Sequence, residues 1–217
     1  MMKKRTLLWA LLSLFLSQNA SAFCDMTNTR VNITTNPGNV QYITTKSRSE
    51  FLNASQHQVS PNTLGLTVSN LTISGGVVPR FERLDKQICV GIDTLNFKMG
   101  YERGNLKVFI DKKYAPGSCE YEVIREHENY HVAVAQQAML FFKPDIEKKI
   151  HTVVGKLRPK VVRSEKEAAK VVQEQFGYVM TELSPLINHI NSVIAEKNAK
   201  IDTPESYTQT TALCKNW

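Results

Sequence analysis

Residues 119–142 read CEYEVIREHENYHVAVAQQAMLFF, a stretch with neither glycine nor proline. Ser118 stands just ahead of it, with a hydroxyl that can cap the free N–H groups of a first helical turn. Glu120 and Glu122 fall in that first turn, where the helix dipole favours negative charge. The run is therefore predicted to be helical. Ile124, His127, His131, Val134 and Ala138 recur at helical spacing along one face, so that face should turn toward a core.

Toward the N-terminus the pattern changes. Thr29 to Thr35, Val40 to Thr45, Leu64 to Ile73, Ile88 to Phe97 and Leu106 to Ile110 are rich in Val, Ile, Leu and Thr and read as strands. Asn36-Pro37-Gly38-Asn39 and Gly75-Gly76 read as turns between them, and the polar stretch 46–62 as a loop or short helix. Toward the C-terminus the pattern is helical. Pro144 should end or kink the central helix, with a shorter helix from about Asp145 to Leu157 stopped by Pro159. Ser164-Glu165-Lys166-Glu167 is a capping box that opens another helix, which Ser184-Pro185 should break before a further one runs to about Lys200. Thr203-Pro204-Glu205 repeats the cap-plus-proline pattern for a short terminal helix. Strands first and helices after predict an α+β protein: a mostly antiparallel N-terminal sheet, then the 119–142 helix and a helical C-terminal half.

The chain has 217 residues, 42% hydrophobic and 22% charged, which suits a single domain with a real core. Residues 1–22 read as a secretory signal peptide: Lys3, Lys4 and Arg5, then the apolar run Thr6 to Leu16, then Ala20-Ser21-Ala22. The expected mature domain is 23–217, strand-rich over 23–112 and helical over 113–217. Losing the leader takes the formal charge from +7 to +4, and so mild a basic excess does not point to nucleic acid. No later stretch has the roughly 20 apolar residues that a membrane span needs. The expected destination is the periplasm or the outside of a bacterial cell. In that oxidising setting Cys24, Cys89, Cys119 and Cys214 should form two disulfides. The favoured pairing is Cys89 with Cys119, pinning a strand to the start of the helix, and Cys24 with Cys214, tying the chain ends.

The chemistry sits inside the helix. His127-Glu128-Asn129-Tyr130-His131 is an HExxH motif, and residues four apart lie one turn above each other, so both imidazoles can reach one ion. Neutral imidazole is a ready zinc ligand. Glu128 follows the first ligand and is placed to take a proton from an attacking water and return it to a leaving amine. One Zn2+ is therefore expected, with His127 and His131 as ligands and Glu128 as the catalytic residue. The third ligand is not given by the motif. A third histidine six residues after the second is ruled out by Gln137, and a glutamate 20 residues after it by His151, which could itself be a ligand.

Cys89, the strand at 106–110, Tyr114-Ala115-Pro116-Gly117-Ser118-Cys119 and Glu126-His127-Glu128-Asn129-Tyr130-His131-Val132 together resemble a group of uncharacterised exported bacterial HExxH proteins. More distantly they resemble the DUF922 family of secreted zinc-dependent proteases, which are zincin-like. The resemblance runs from about Cys89 to the C-terminus. It implies a second block near the C-terminus with an Asp, a Thr and a His, and Ile201-Asp202-Thr203-Pro204-Glu205-Ser206-Tyr207 stands there. The histidine is missing, with Tyr207 about where it would fall. On donor chemistry Glu205 is the first choice for third ligand and Asp202 the next, since carboxylates accompany two histidines on zinc. Tyr207 could support the site from beside the metal.

The functional expectation is an exported zinc-dependent metallopeptidase acting on a peptide, a protein or cell-envelope material. The competing readings are a non-catalytic exported module that binds zinc or a partner, and an envelope structural domain in which the motif is coincidental.

Overall fold

The computed structural model describes residues 24, 26, 28–54, 63–102, 104–215 and 217. The expected signal peptide, 1–22, lies outside the described residues, as does 55–62 of the polar stretch.

The strands are β1 (Arg30–Asn36), β2 (Gln41–Ile43), β3 (Gly65–Ser69), β4 (Thr72–Leu84), β5 (Gln87–Gly100), β6 (Leu106–Ile110) and β7 (Lys160–Val162). The helices are α1 (Arg48–Ala54), α2 (Cys119–Val154), α3 (Glu165–Ala199) and α4 (Pro204–Ala212). An N-terminal strand-rich half thus precedes a helical half, as the order of patterns implies. The strands form two sheets rather than one. In the larger, β5 pairs antiparallel with β4 on one side, and on the other with β1 in parallel and β7 antiparallel. In the smaller, β6 lies between parallel β2 and antiparallel β3.

Gly75 and Gly76 do not turn the chain. They lie inside β4, opposite Phe97 and Asn96 of β5. The chain reverses instead at Asp85 and Lys86, where Asp85 takes φ +53°. A Cβ on Gly75 would come within 2.9 Å of the Asn96 carbonyl and 3.0 Å of the Phe97 ring, so the glycine serves close packing over Phe97.

Neither internal proline breaks its helix. Pro144 lies within α2 and Pro185 within α3. Both prolines are exposed, as are Leu140 and Thr181, four residues earlier, whose carbonyls lose their partners, so the cost falls where water can offset it. On the opposite faces the buried rows run on past both sites, through Ile146, Ile150 and Val153 on α2 and Leu183, Ile187 and Ile190 on α3. These residues share one core with Leu95, Phe97, Met99, Leu106, Val108 and Ile110 of the sheets. Burying each such side chain contributes about 1.5–3 kcal/mol, comparable to what one helical proline costs.

The caps fall where the sequence places them. Ser118 accepts from the Tyr121 N–H, Ser164 from Glu167 and Thr203 from Ser206. The cysteine pairing differs from the favoured one: Cys24 bonds Cys89, and Cys119 bonds Cys214. Cys89 lies near the start of β5, opposite Val161 of β7. The end of α4, by contrast, returns to the first residue of α2, with Cα atoms of Cys119 and Cys214 5.9 Å apart. Two disulfides fit an exported protein. Among the described residues no helix is long and apolar enough to cross a membrane.

Candidate metal centre

The centre lies where the N-terminal half of α2 meets β3 on one side and the turn between α3 and α4 on the other. The helix turns Ile124, His127, His131 and Ala138 inward as the spacing predicts, with Glu128 beside them and Val134 at the margin of the core. His127 is 7% exposed, Glu128 2% and His131 3%. One donor atom from each of the three lies within 4.8 Å of the others, so this buried His–Glu–His group could hold a metal ion.

The turn after α3 delivers the carboxylate. Asp202 Oδ1 stands 3.1 Å from His127 Nε2 and 3.0 Å from His131 Nε2. Donor atoms around a tetrahedral zinc with bonds of about 2.0–2.1 Å stand roughly 3.3 Å apart. Both distances from Asp202 Oδ1 are within a few tenths of an ångström of that spacing. Burial would raise the Asp202 carboxyl, but the hydrogen bonds from His127 and His131, the charge of His131 and the hydroxyl of Tyr207 outweigh it and hold it well below the usual carboxylate range. For His131 burial pulls downward, and the Asp202 hydrogen bond with the charges of Glu128 and Asp202 lifts it above an ordinary histidine.

Tyr207, on α4, closes the far side. Its hydroxyl donates to Asp202 Oδ1 at 2.8 Å, and its ring lies against that of His127 with centroids 5.3 Å apart. Burial raises its phenol, so it remains a proton donor at any ordinary pH. Pro204 at the first helical position and the Thr203 cap start α4 here, which sets Tyr207 one turn beyond Asp202.

Two residues of β3 complete the centre, and the sequence reading missed both. Thr67 Oγ1 donates to Glu128 Oε2 at 2.7 Å. Gly65 lies against the same carboxylate: a Cβ there would sit 2.7 Å from Glu128 Oε1 and 2.8 Å from its Cγ. Burial pushes the Glu128 carboxyl up, against the pull of the His131 charge, the Thr67 hydroxyl and the His127 charge. A carboxyl raised in this way is suited to take a proton and return it. A threonine and a glycine in a strand carry no pattern that could mark them out.

Glu205 does not join the centre. It is exposed in the first turn of α4, where it complements the helix dipole, while Asp202 three residues earlier takes the place beside the histidines. His151 is also exposed, in the last turn of α2; 20 residues beyond His131 it is about 30 Å further along the helix axis. No protein-family model, curated protein or solved structure matches the chain.

Proposed function

We propose that the protein is an exported zinc-dependent hydrolase, a metallopeptidase of zincin type, with His127, His131 and Asp202 as ligands and Glu128 as the catalytic residue. The observation that carries this reading is the approach of Asp202 Oδ1 to both Nε2 atoms beside a buried glutamate. A bound zinc would supply Lewis acidity and bring the pKa of water toward neutrality. The chain's own residues do the rest. Thr67 holds one oxygen of Glu128, leaving the other to accept the proton of the attacking water and pass it to the departing amine. Tyr207 donates its phenol O–H to Asp202 Oδ1 and so steadies that carboxylate; turned from it, the same proton could meet negative charge that develops on a carbonyl oxygen. The substrate would be a peptide, a protein or cell-envelope material, met outside the cytoplasm.

A second reading is a zinc-binding module without catalysis. The burial of both histidines and Glu128 favours it, since only Asp202, with a side chain 35% exposed, opens on solvent. Glu128→Gln separates the two. The catalytic reading expects the variant to keep one zinc per chain and to lose roughly 10²–10⁴-fold in cleavage of a quenched fluorescent peptide library. Cleavage that survives the substitution ends the mechanism, and zinc-loaded wild type that cleaves nothing leaves the binding module.

A further inference from the structure

The centre contains a loose end that neither the motif nor the proposed chemistry uses. His131 Nδ1 and Asn198 Oδ1 are both buried, and among the described residues neither has a hydrogen-bond partner of normal geometry. They belong to one place: the Asn198 carbonyl accepts from the N–H of Asp202, whose Oδ1 stands 3.0 Å from His131 Nε2, and the Asn198 side chain favours a charged His131. A buried polar atom without a partner costs about 1–3 kcal/mol, so a fold that brings one donor and one acceptor side by side implies a state in which they pair.

Resting on the metal reading above, we propose that Asn198 is the positioning residue of the centre: its Oδ1 accepts the Nδ1–H of His131 and so presents a bare Nε2 to the ion. A neutral imidazole carries one N–H, and a histidine that ligates through Nε2 must carry it on Nδ1. That proton needs an acceptor in a dry environment. Such acceptors fix tautomer and ring orientation in metal-ligating histidines. Asn198 has a second hold on the centre through its backbone. Its carbonyl accepts from the Asp202 N–H at 3.2 Å and from Ile201 at 3.0 Å, which folds the turn that brings Asp202 to the two histidines. One residue at the end of α3 thereby aligns a ligand on α2 with a ligand on the following turn.

The test uses the mature chain with Asn198→Ala and Asn198→Asp. Zinc affinity is measured by competition with a chromophoric chelator, and the ring protons of ¹⁵N-histidine-labelled protein by NMR, with and without zinc. The expected result is an affinity about 10–100-fold weaker in Asn198→Ala and restored in Asn198→Asp, whose carboxylate also accepts. With zinc bound, an exchange-protected Nδ1–H of His131 should be present in wild type and in Asn198→Asp and absent in Asn198→Ala. Unchanged affinity and an unchanged Nδ1–H in Asn198→Ala overturn the proposal. If Asn198→Ala does not fold, Asn198→Asp decides: zinc binding equal to or tighter than wild type supports it, and weaker binding overturns it. A wild type that binds no zinc ends the metal reading instead. Metal-free spectra at mildly acidic pH, where His131 carries both ring protons, then decide whether Asn198 holds the Nδ1–H.

Discussion

Gly65 decides where Glu128 can stand. Its hydrogen occupies a place where any Cβ would overlap the carboxylate, so Gly65→Ala must displace either β3 or Glu128. Overpacking of this kind costs about 1–3 kcal/mol. The expected outcome is a lower melting temperature and a loss of cleavage while zinc is retained, since the close contacts of a Cβ there are with Glu128 and not with His127, His131 or Asp202. Retention of full activity would show that Glu128 does not act from this position. The proposed third ligand is also tested at single residues. Asp202→Ala should remove zinc binding, measured by metal content after dialysis, whereas Glu205→Ala should leave it unchanged. The reverse result would restore Glu205, the first choice of the sequence reading. Both are carboxylates, and three positions of chain separate an exposed first-turn residue from the one that stands beside both histidines.

At the scale of elements, the centre depends on how helix ends are held. Asp202 and Tyr207 sit on the turn before α4 and on α4 itself, and α4 is tied to the first residue of α2 by Cys119–Cys214. That bridge closes 95 residues of sequence, and a loop of this size is worth about 4.7 kcal/mol on the chain-entropy model. Replacing both cysteines by serine should lower stability by about 2–5 kcal/mol in denaturant melts and weaken zinc binding, because α4 loses its anchor. A pair of serines that lowers stability but leaves zinc affinity untouched would show that the Thr203 cap and Tyr207 hold the turn unaided. The long helices make a related point. Proline punctuation suggested four helical pieces over 119–200 where two run through, because a proline on the solvent face costs one exposed hydrogen bond while the buried face packs on uninterrupted.

For the molecule as a whole, pH and metal should act in opposite senses. In the metal-free protein the His131 pKa is raised, so the stability it confers is complete below 6.5, the ordinary histidine value, and is lost as pH rises through its folded pKa. Glu128, raised by burial, acts in the same direction. Asp202 is depressed, so its contribution is present above the ordinary carboxylate value of 3.8 and is lost as pH falls through its folded pKa. Chelator-treated protein should therefore be most stable at mildly acidic pH. Zinc requires neutral imidazoles, so its stabilisation should grow as pH rises, to about 2.7 kcal/mol at a hundredfold excess over the dissociation constant. Thermal melts with chelator and with zinc across this range check both slopes. Parallel curves would mean that no metal binds at these histidines.

The sequence by itself determined what rests on neighbours three or four residues apart. That covers the helix at 119, its inward face, the pairing of His127 and His131 with Glu128 between them, and the caps at Ser118, Ser164 and Thr203. The order of strand and helix patterns also sufficed for the α+β class, since each pattern needs only its own period. Tertiary structure alone decided the rest. Asp202 lies 75 and 71 residues from the histidines it approaches, Thr67 61 residues from Glu128, and the disulfide partners 65 and 95 residues from each other. At such separations composition cannot say which carboxylate, hydroxyl or thiol arrives. The packing of α3 and α4 against α2 and of β3 over Glu128 makes that choice.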